Sequence, residues 1–340
     1  MASLLKTRIL RPAAVTALGL ALTLLLTGCD QRELCYDHDH RANLAVIFDW
    51  SKASDADVKG MTALFFNEER PDRDDRYDMV GMEGDTIRLQ PGTYRAVAYN
   101  NDTEAILYRG TNSATSLEAY TRYSSISEGT QINTRGVMPM AEGTEDQKVI
   151  LEPDVLFGGA SDYFTLVPDG SETIMIAEEH RTMLVHIVFA NVKNLKYASM
   201  FGGSLSGLAP SVNVSTGRLG EGCVTEAFQG HKTDETTLEL SVRIFGHCPR
   251  LSEGKTNRHV LTIYCVMEDG TQWYHSVDIT DQLHAEDLQP TPAPGEEEKV
   301  INIALEDLPL PEPMGDGEGG MFQPTIDGWQ GVEIDVSIDY

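Results

Sequence analysis

The chain has 340 residues and a formal net charge of −27 at pH 7, from 26 basic and 53 acidic side chains. So large a negative charge makes contact with nucleic-acid phosphates or an anionic bilayer surface unfavourable, which excludes nucleic acid as a partner. The length exceeds what one hydrophobic core usually serves and predicts two domains.

The first 28 residues have the pattern of a secretory signal peptide. Three basic residues precede an apolar stretch over residues 13–26, which is shorter than the roughly 20 residues needed to span a hydrocarbon core. The stretch ends in LTGC at residues 26–29, which resembles the bacterial lipobox. That resemblance implies cleavage between Gly28 and Cys29 and fatty acylation of Cys29. An ordinary signal peptide with an incidental cysteine is the alternative.

Residues 29–43 are expected to form a polar tether between the acylated Cys29 and the first strand. Several acyl chains on one residue hold a protein at a membrane more firmly than a single chain does. The tether contains His38 and His40, whose rings would point the same way in an extended segment and could contribute to a zinc site. No third and fourth ligand is recognisable nearby, so a plain tether is the preferred interpretation.

Most of the mature chain alternates apolar and polar residues with period two, which is typical of strands with one buried face. The clearest predicted strands are TLELSVRIF at 237–245 and VEIDVSIDY at 332–340. Further strands are predicted at 44–50, 61–67, 85–89, 93–99, 104–108, 182–190, 260–267, 272–278 and 300–305. Short helices are expected near 53–60 and 112–120, and DRDDRYD at 72–78 is expected to be a solvated loop.

Many short strands separated by turns predict an all-β chain of two tandem antiparallel β-sandwiches of the immunoglobulin-like kind. The sequence VPDGSET at 167–173 interrupts two apolar stretches, so we place an N-terminal sandwich at 44–172 and a C-terminal sandwich at 173–340. Two segments rich in proline and acidic residues, 285–299 and 309–320, are expected to be loops of the second sandwich.

Four cysteines follow Cys29, an even number that fits an oxidising compartment. Cys265 lies in the apolar run HVLTIYCVM and is expected to be a buried thiol. Cys223 and Cys248 lie in turns and are the better candidates for a disulfide. No C-x-x-C spacing occurs. No nucleophile, base and orienting residue form a recognisable set, so we predict neither a cofactor nor enzymatic activity.

Several short motifs follow the lipobox in a characteristic order, with ELCYDHDH at 33–40, LQPGTYRAVAYN at 89–100, GGSLSGLAPSVNVSTG at 202–217 and GWQGVEIDVSI at 328–338. Their order resembles lipoproteins of the Bacteroidales related to the fimbrillin-associated anchor subunits of fimbriae, and especially an uncharacterised branch of that family.

The resemblance implies two transthyretin-like sandwiches that are held at the cell outer membrane by lipid on Cys29 and are displayed on the cell surface. It also implies a non-enzymatic role as an anchor or assembly subunit, with fimbrial pilin subunits as partners and without a small-molecule cofactor. The alternative function is a surface lipoprotein that binds glycans or a host protein as an adhesin, without a fimbria.

Overall fold

The computed structural model describes residues 40–70, 74–134, 136–248, 257–285, 298–312, 325–326 and 328–333. The strands of its first half are β1 (Ala42–Asp49), β2 (Gly60–Asn67), β3 (Asp74–Val80), β4 (Gly84–Leu89), β5 (Gly92–Asn100), β6 (Ile106–Arg109), β7 (Glu118–Thr121), β8 (Lys148–Ile150), β9 (Phe157–Ala160), β10 (Phe164–Leu166), β11 (Ser171–Ala177) and β12 (Glu179–His180).

The strands of the second half are β13 (Met183–Ala190), β14 (Ala198–Leu208), β15 (Ser211–Asn213), β16 (Val224–Lys232), β17 (Leu238–Ile244), β18 (Val260–Met267), β19 (Gln272–Asp278), β20 (Val300–Glu306), β21 (Thr325–Ile326) and β22 (Trp329–Glu333). Helices are short and few among the described residues: α1 (Ile126–Thr130), α2 (Thr280–Leu283) and a 3-10 turn at Leu195–Tyr197. The expectation of an all-β fold is therefore confirmed.

Two sheets of the first half pack face to face. One has the strand order β11-β1-β4, and the other has the order β12-β9-β5-β2-β3 with β10 paired to β5. Alternate residues of β1 are buried, and its Leu44, Val46 and Phe48 share an apolar core with Phe65 of β2 and Tyr94 of β5. The period-two pattern of β1 thus forms one wall of a β-sandwich.

Strands β2 and β5 lie between two apolar layers and are buried on both faces. Their second face carries Leu64 and Val97, which share a smaller core with Ala119 of β7 and Val212 of β15. β7 and β15 belong to a small sheet of order β15-β7-β6. Double burial explains why β2 and β5 read as nearly continuous apolar runs instead of alternating ones.

One large sheet organises the second half, in the order β20-β13-β17-β16-β14-β18-β19-β22-β21, and β8 adds to it beside β16. Phe189 of β13, Leu240 of β17, Ile263 of β18, Trp273 of β19 and Ile303 of β20 belong to a single core. Because β20, β13 and β17 are separated from β18 and β19 by two strands in the sheet order and still share a core with them, the sheet must curl over on itself. Register shifts within β14 supply local bending.

Three elements connect regions on either side of the predicted domain boundary. β8 pairs in parallel with β16, and β15 pairs with β7. β11, which contains the predicted boundary between residues 172 and 173, pairs in parallel with β1 of the first sandwich. The described residues from Arg41 onward form one compact unit. The division into sandwiches at 44–172 and 173–340 stays a prediction. The tether at 29–43 also stays a prediction, although its last two residues, from Ala42, already belong to β1.

Three local expectations are wrong. Turns and the first residues of strands, instead of helices, occupy residues 53–60 and 112–120. Ala53 and Val58 are buried because the turn that contains them packs against the first core. Of residues 72–78, expected to be a solvated loop, the described part from position 74 belongs to β3, which pairs with β2. Arg76 and Asp78 of β3 point to solvent and form an ion pair at 3.0 Å, while Met79 enters the core. The charges of this edge strand concealed its alternation.

Candidate functional site: a strand edge and an acidic cavity

The predicted lipid site, cleavage after Gly28 and acylation of Cys29, lies outside the described residues, as do the signal peptide at 1–28 and Cys35. Within the described part of the chain, no helix is long and apolar enough to cross a membrane. The lipidation of Cys29 stays a prediction.

The remaining cysteines are all described. Cys223 and Cys248, the pair proposed from the sequence, are joined by a disulfide with their Cα atoms 6.2 Å apart. Cys265 of β18 is a free thiol in the core of the second half, and burial raises its pKa to about 12. That thiol is therefore neutral and shielded from reagents.

Of the two weak metal candidates in the tether, His38 lies outside the described residues and His40 is partly buried beside β1. His40 belongs to no group of three possible ligands within the described ranges. Among the residues that the structure describes, one such group is present, and it consists of His247, His259 and His284. Sequence spacing gave no indication of this cluster, because its members come from three separate segments.

Strand β20 is an edge strand of the large sheet. It pairs in parallel with β13, and within the described ranges it has no other neighbour. Its Ile301 and Ile303 enter the core, whereas Val300, Asn302 and Ala304 face solvent. No lysine, arginine or proline interrupts β20, and its single acid stands at the last position, Glu306. Such an edge offers unpaired main-chain groups to another strand.

Other long edges are better protected. β3 carries the exposed side chains of Arg76 and Asp78, and exposed charges of this kind discourage strand pairing. β4 carries Asp85 and has its own edge close to β3. β11 has β9 and β10 packed beside it. β20 is therefore the most accessible strand edge among these.

A cavity of about 370 Å³ opens near the end of β9 and is lined by five acidic residues together with Asn100, Phe157 and His180; the acids are Asp55, Asp57, Asp102, Asp154 and Glu298. His180 is 1% exposed, and its Nε2 lies 2.8 Å from Oδ1 of Asp55. Its ring packs on Phe157 with centroids 4.7 Å apart.

Backbone amides hold several of these carboxylates in place. Asp154 accepts bonds from the N–H groups of Glu104 and Ala105, both at 2.7 Å. Asp55 accepts the N–H of Glu298 at 3.0 Å. Partial burial works to raise the pKa of Asp55, but the bonds from Glu298 and the His180 ring outweigh it and lower that pKa below its usual value. The cavity is thus negatively charged and suited to cationic or polar ligands.

Sequence reasoning missed the cavity because its parts are distant along the chain. Asp55 and His180 are separated by 125 positions and meet only through the fold. The polar groups that line the cavity are carboxylates, the Asn100 amide and the His180 imidazole, which can hold a ligand by charge and hydrogen bonds.

A family model described as "Domain of unknown function (DUF5119)" matches residues 28–229. A Bacteroides ovatus protein named "Putative fimbrium anchoring subunit Fim4B" is 26% identical over 342 residues, which cover 94% of this chain and 96% of that protein. The resemblance to fimbrial anchor proteins seen in the sequence is thereby confirmed.

Two solved structures align with most of the chain, and the first of them shares its fold. A crystal structure titled as a "putative adhesin" from Bacteroides ovatus aligns with a TM-score of 0.54 at 20% identity, covering 84% of this chain and 99% of that one. The fimbrial anchor protein Mfa2 from Porphyromonas gingivalis aligns with a TM-score of 0.46 at 11% identity, covering 78% of this chain and 90% of that one.

Proposed function

The chain belongs to the DUF5119 family, and from this premise we propose that it is a non-enzymatic outer-membrane lipoprotein that anchors or assembles surface fimbriae. The observation that carries the proposal is the 26% identity to the Bacteroides ovatus fimbrium anchoring subunit across 94% of this chain. A match over nearly the whole length extends across both halves of the fold and is not confined to one motif.

In this proposal, lipid on Cys29 holds the mature chain at the outer membrane, with its folded part displayed on the cell surface. Two tandem sandwiches, at 44–172 and 173–340, form the displayed part. The strong negative charge of the chain opposes direct contact with anionic lipid, so attachment depends on the acyl chains.

The edge of β20 is the proposed contact for a fimbrial pilin subunit. A pilin strand added there would gain affinity from main-chain hydrogen bonds, and the exposed side chains of Val300, Asn302 and Ala304 would select its sequence. The absence of a charge before Glu306 leaves this edge open to pairing.

Lipid attachment is tested by the substitution Cys29→Ser, with Cys35→Ser as the matched control. We expect Cys29→Ser to remove the chain from the outer-membrane fraction and to change the electrophoretic mobility of the mature polypeptide. Cys35→Ser should change neither. Unchanged fractionation and mobility of the Cys29→Ser protein would rule out the lipid anchor.

The fimbrial role is tested by affinity purification from solubilised outer membranes. We expect pilin subunits to co-purify, and the edge substitution Ala304→Lys to lower their recovery severalfold because a lysine on an exposed edge blocks strand addition. Val80→Lys, on the edge strand β3 where Val80 is 93% exposed, is the control and should leave recovery unchanged. Retention on a polysaccharide column without any pilin partner would instead support the adhesin function, for which the acidic cavity is the candidate site.

A further inference from the structure

Three histidines converge at one rim of the large sheet. His247 follows β17 by three residues, His259 immediately precedes β18, and His284 immediately follows α2. The ring centroids of His259 and His284 are 4.6 Å apart, and each lies 5.2 Å from that of His247. One nitrogen of each ring lies within 4.8 Å of the nitrogens of the other two.

The backbone around His247 is held on both sides. The N–H of Cys248 donates to the carbonyl of Gly207 at 2.8 Å, and the N–H of Ala209 donates to the carbonyl of Gly246 at 2.8 Å. The Cys223–Cys248 disulfide fixes the residue next to His247. A rotation of this segment would break all of these contacts, so the position of His247 is well determined.

Glycine is required where the chain passes closest to His259. Gly207 has a φ of +76°, and a Cβ at this position would lie 2.5 Å from Nδ1 of His259. The conformation is unfavourable for other residues, and the contact leaves no room for a side chain. The sequence thus keeps space around the His259 ring.

Thr280 connects the other two histidines. Its Oγ1 accepts the backbone N–H of His259 at 2.9 Å, and its carbonyl accepts the backbone N–H of His284 at 3.0 Å. The N–H of Ile279 donates to the carbonyl of His259 at 2.9 Å. His259 and His284 are therefore set in relation to each other by the same few backbone bonds.

The ring of His259 has a hydrogen-bonding pattern typical of a metal ligand. Its Nδ1 lies 3.3 Å from the carbonyl oxygen of Ser206, so Nδ1–H donates there and the lone pair sits on Nε2. Nε2 points to Nε2 of His284 at 3.0 Å. Metal-binding histidines commonly donate their second nitrogen to a backbone carbonyl in this way, which fixes the tautomer and the ring orientation.

Packing alone does not explain why the ring of His247 is buried without hydrogen-bond partners among the described residues. The residue is 0% exposed, and within the described ranges neither ring nitrogen has a hydrogen-bond partner. Buried polar groups are nearly always satisfied. Burial, aided by the two neighbouring imidazoles, lowers the pKa of His247 to about 4, so its ring is neutral and has a lone pair to offer.

We propose that His247, His259 and His284 together bind one zinc ion or a similar divalent ion that prefers imidazole, with the fourth coordination position left to a solvent molecule or an exogenous ligand. In a tetrahedral site with Zn–N distances of 2.0–2.1 Å, ligand nitrogens lie about 3.3 Å apart. The His259–His284 pair is already near that separation. His284 is partly exposed, so the fourth position can be reached from solvent.

Zinc titration of the tag-free, signal-processed full chain, after metal removal with a chelator, tests the site by calorimetry. We expect one Zn²⁺ per chain, and an affinity at least about tenfold lower for His284→Ala and for His259→Ala. His231→Ala, in which the lost ring is 70% exposed and lies outside the cluster, should bind as the unsubstituted chain does. The double variant His38→Ala/His40→Ala distinguishes zinc binding by the cluster from zinc binding by the tether, and it should also keep full affinity.

Cobalt substitution adds a readout that reports coordination directly. Co²⁺ bound in the cluster should give the visible absorption of a tetrahedral nitrogen site, and His284→Ala should abolish it. His284 is partly exposed, so this variant should fold, and circular dichroism checks that it does. Full-affinity binding by both cluster variants, absence of binding by the unsubstituted chain, or loss of binding only in the tether variant would each overturn the proposal.

Discussion

Glu178 shows how a single residue links the fold to pH. It lies between β11 and β12, is 0% exposed, and neither carboxylate oxygen has a hydrogen-bond partner among the described residues. Burial, offset only in part by the cation of Arg181, raises the pKa of Glu178 to about 8. In the unfolded chain the pKa of a glutamate is about 4.3.

These two pKa values determine the sign of the pH effect. Between about pH 4.3 and the folded-state pKa, the folded state holds a proton that the unfolded state has lost, so the free energy of unfolding falls as pH rises. Below that window both states are protonated, and above it both are ionised, so the contribution of Glu178 is constant. The residue therefore stabilises the fold least under alkaline conditions.

The substitution Glu178→Gln keeps the shape and removes the ionisation. We expect its free energy of unfolding, relative to the unsubstituted chain, to increase by about 3–4 kcal/mol between about pH 5 and about pH 8. Urea denaturation at a series of pH values measures this difference. Glu172→Gln, at an exposed position of β11, is the control and should show no such trend. A difference that stays constant with pH would mean that Glu178 is not desolvated as described.

At the scale of elements, close strand approach depends on a glycine at the start of β4. Gly84 has a φ of +100°, and a Cβ there would lie 2.0 Å from the carbonyl oxygen of Val46 in β1. Gly81, three residues earlier, has a φ of +77° with no atom within 4 Å of a Cβ. A comparison of the two positions therefore distinguishes the cost of steric overlap, present only at Gly84, from the cost of backbone strain, present at both.

Replacement of each glycine by alanine should have different effects. Gly81→Ala should cost about 1 kcal/mol through the left-handed conformation alone. Gly84→Ala should cost more than about 3 kcal/mol, because β1 and β4 must also separate. Chemical denaturation of both variants measures the comparison. Equal losses would show that the pairing of β1 with β4 tolerates a side chain at Gly84.

The disulfide provides a second test at this scale. In the chain-entropy model, the bond between positions separated by 25 residues stabilises the fold by about 3.5 kcal/mol. Cys223→Ala and Cys248→Ala should each lose about this amount, and the double variant should lose no more than either one, since one bond is removed in every case. Additive losses in a denaturation experiment would argue against a bond between these residues.

Whether a strand could be predicted from the sequence depends on whether it has one exposed face. β13 and β17 were predicted to within about two residues because one-sided burial imposes period two on the side chains. β3 was missed because its exposed charges obscure that period. The histidine cluster and the acidic cavity gave no local signal, since contacts such as Asp55–His180 arise only from tertiary structure.

At the scale of the whole molecule, the two halves share strands. β8 adds to the large sheet through its pairing with β16, and β15 closes the small sheet of the first half through β7. α1 also packs on β14 and β16. Composition and length predict two domains, but they cannot show that short segments are exchanged between them, because each exchanged strand is only three residues long.

Shared strands predict cooperative unfolding. If neither half completes its sheets alone, calorimetry of the full chain should show one transition whose calorimetric and van't Hoff enthalpies agree. Fragments cut at the predicted boundary, 44–172 and 173–340, test the same point, because the cut divides β11 and separates it from β1. We expect neither fragment alone to give a cooperative transition, and mixing them to restore one. Two independent transitions, or a fragment that folds by itself, would establish the sandwiches as autonomous domains despite their exchanged strands.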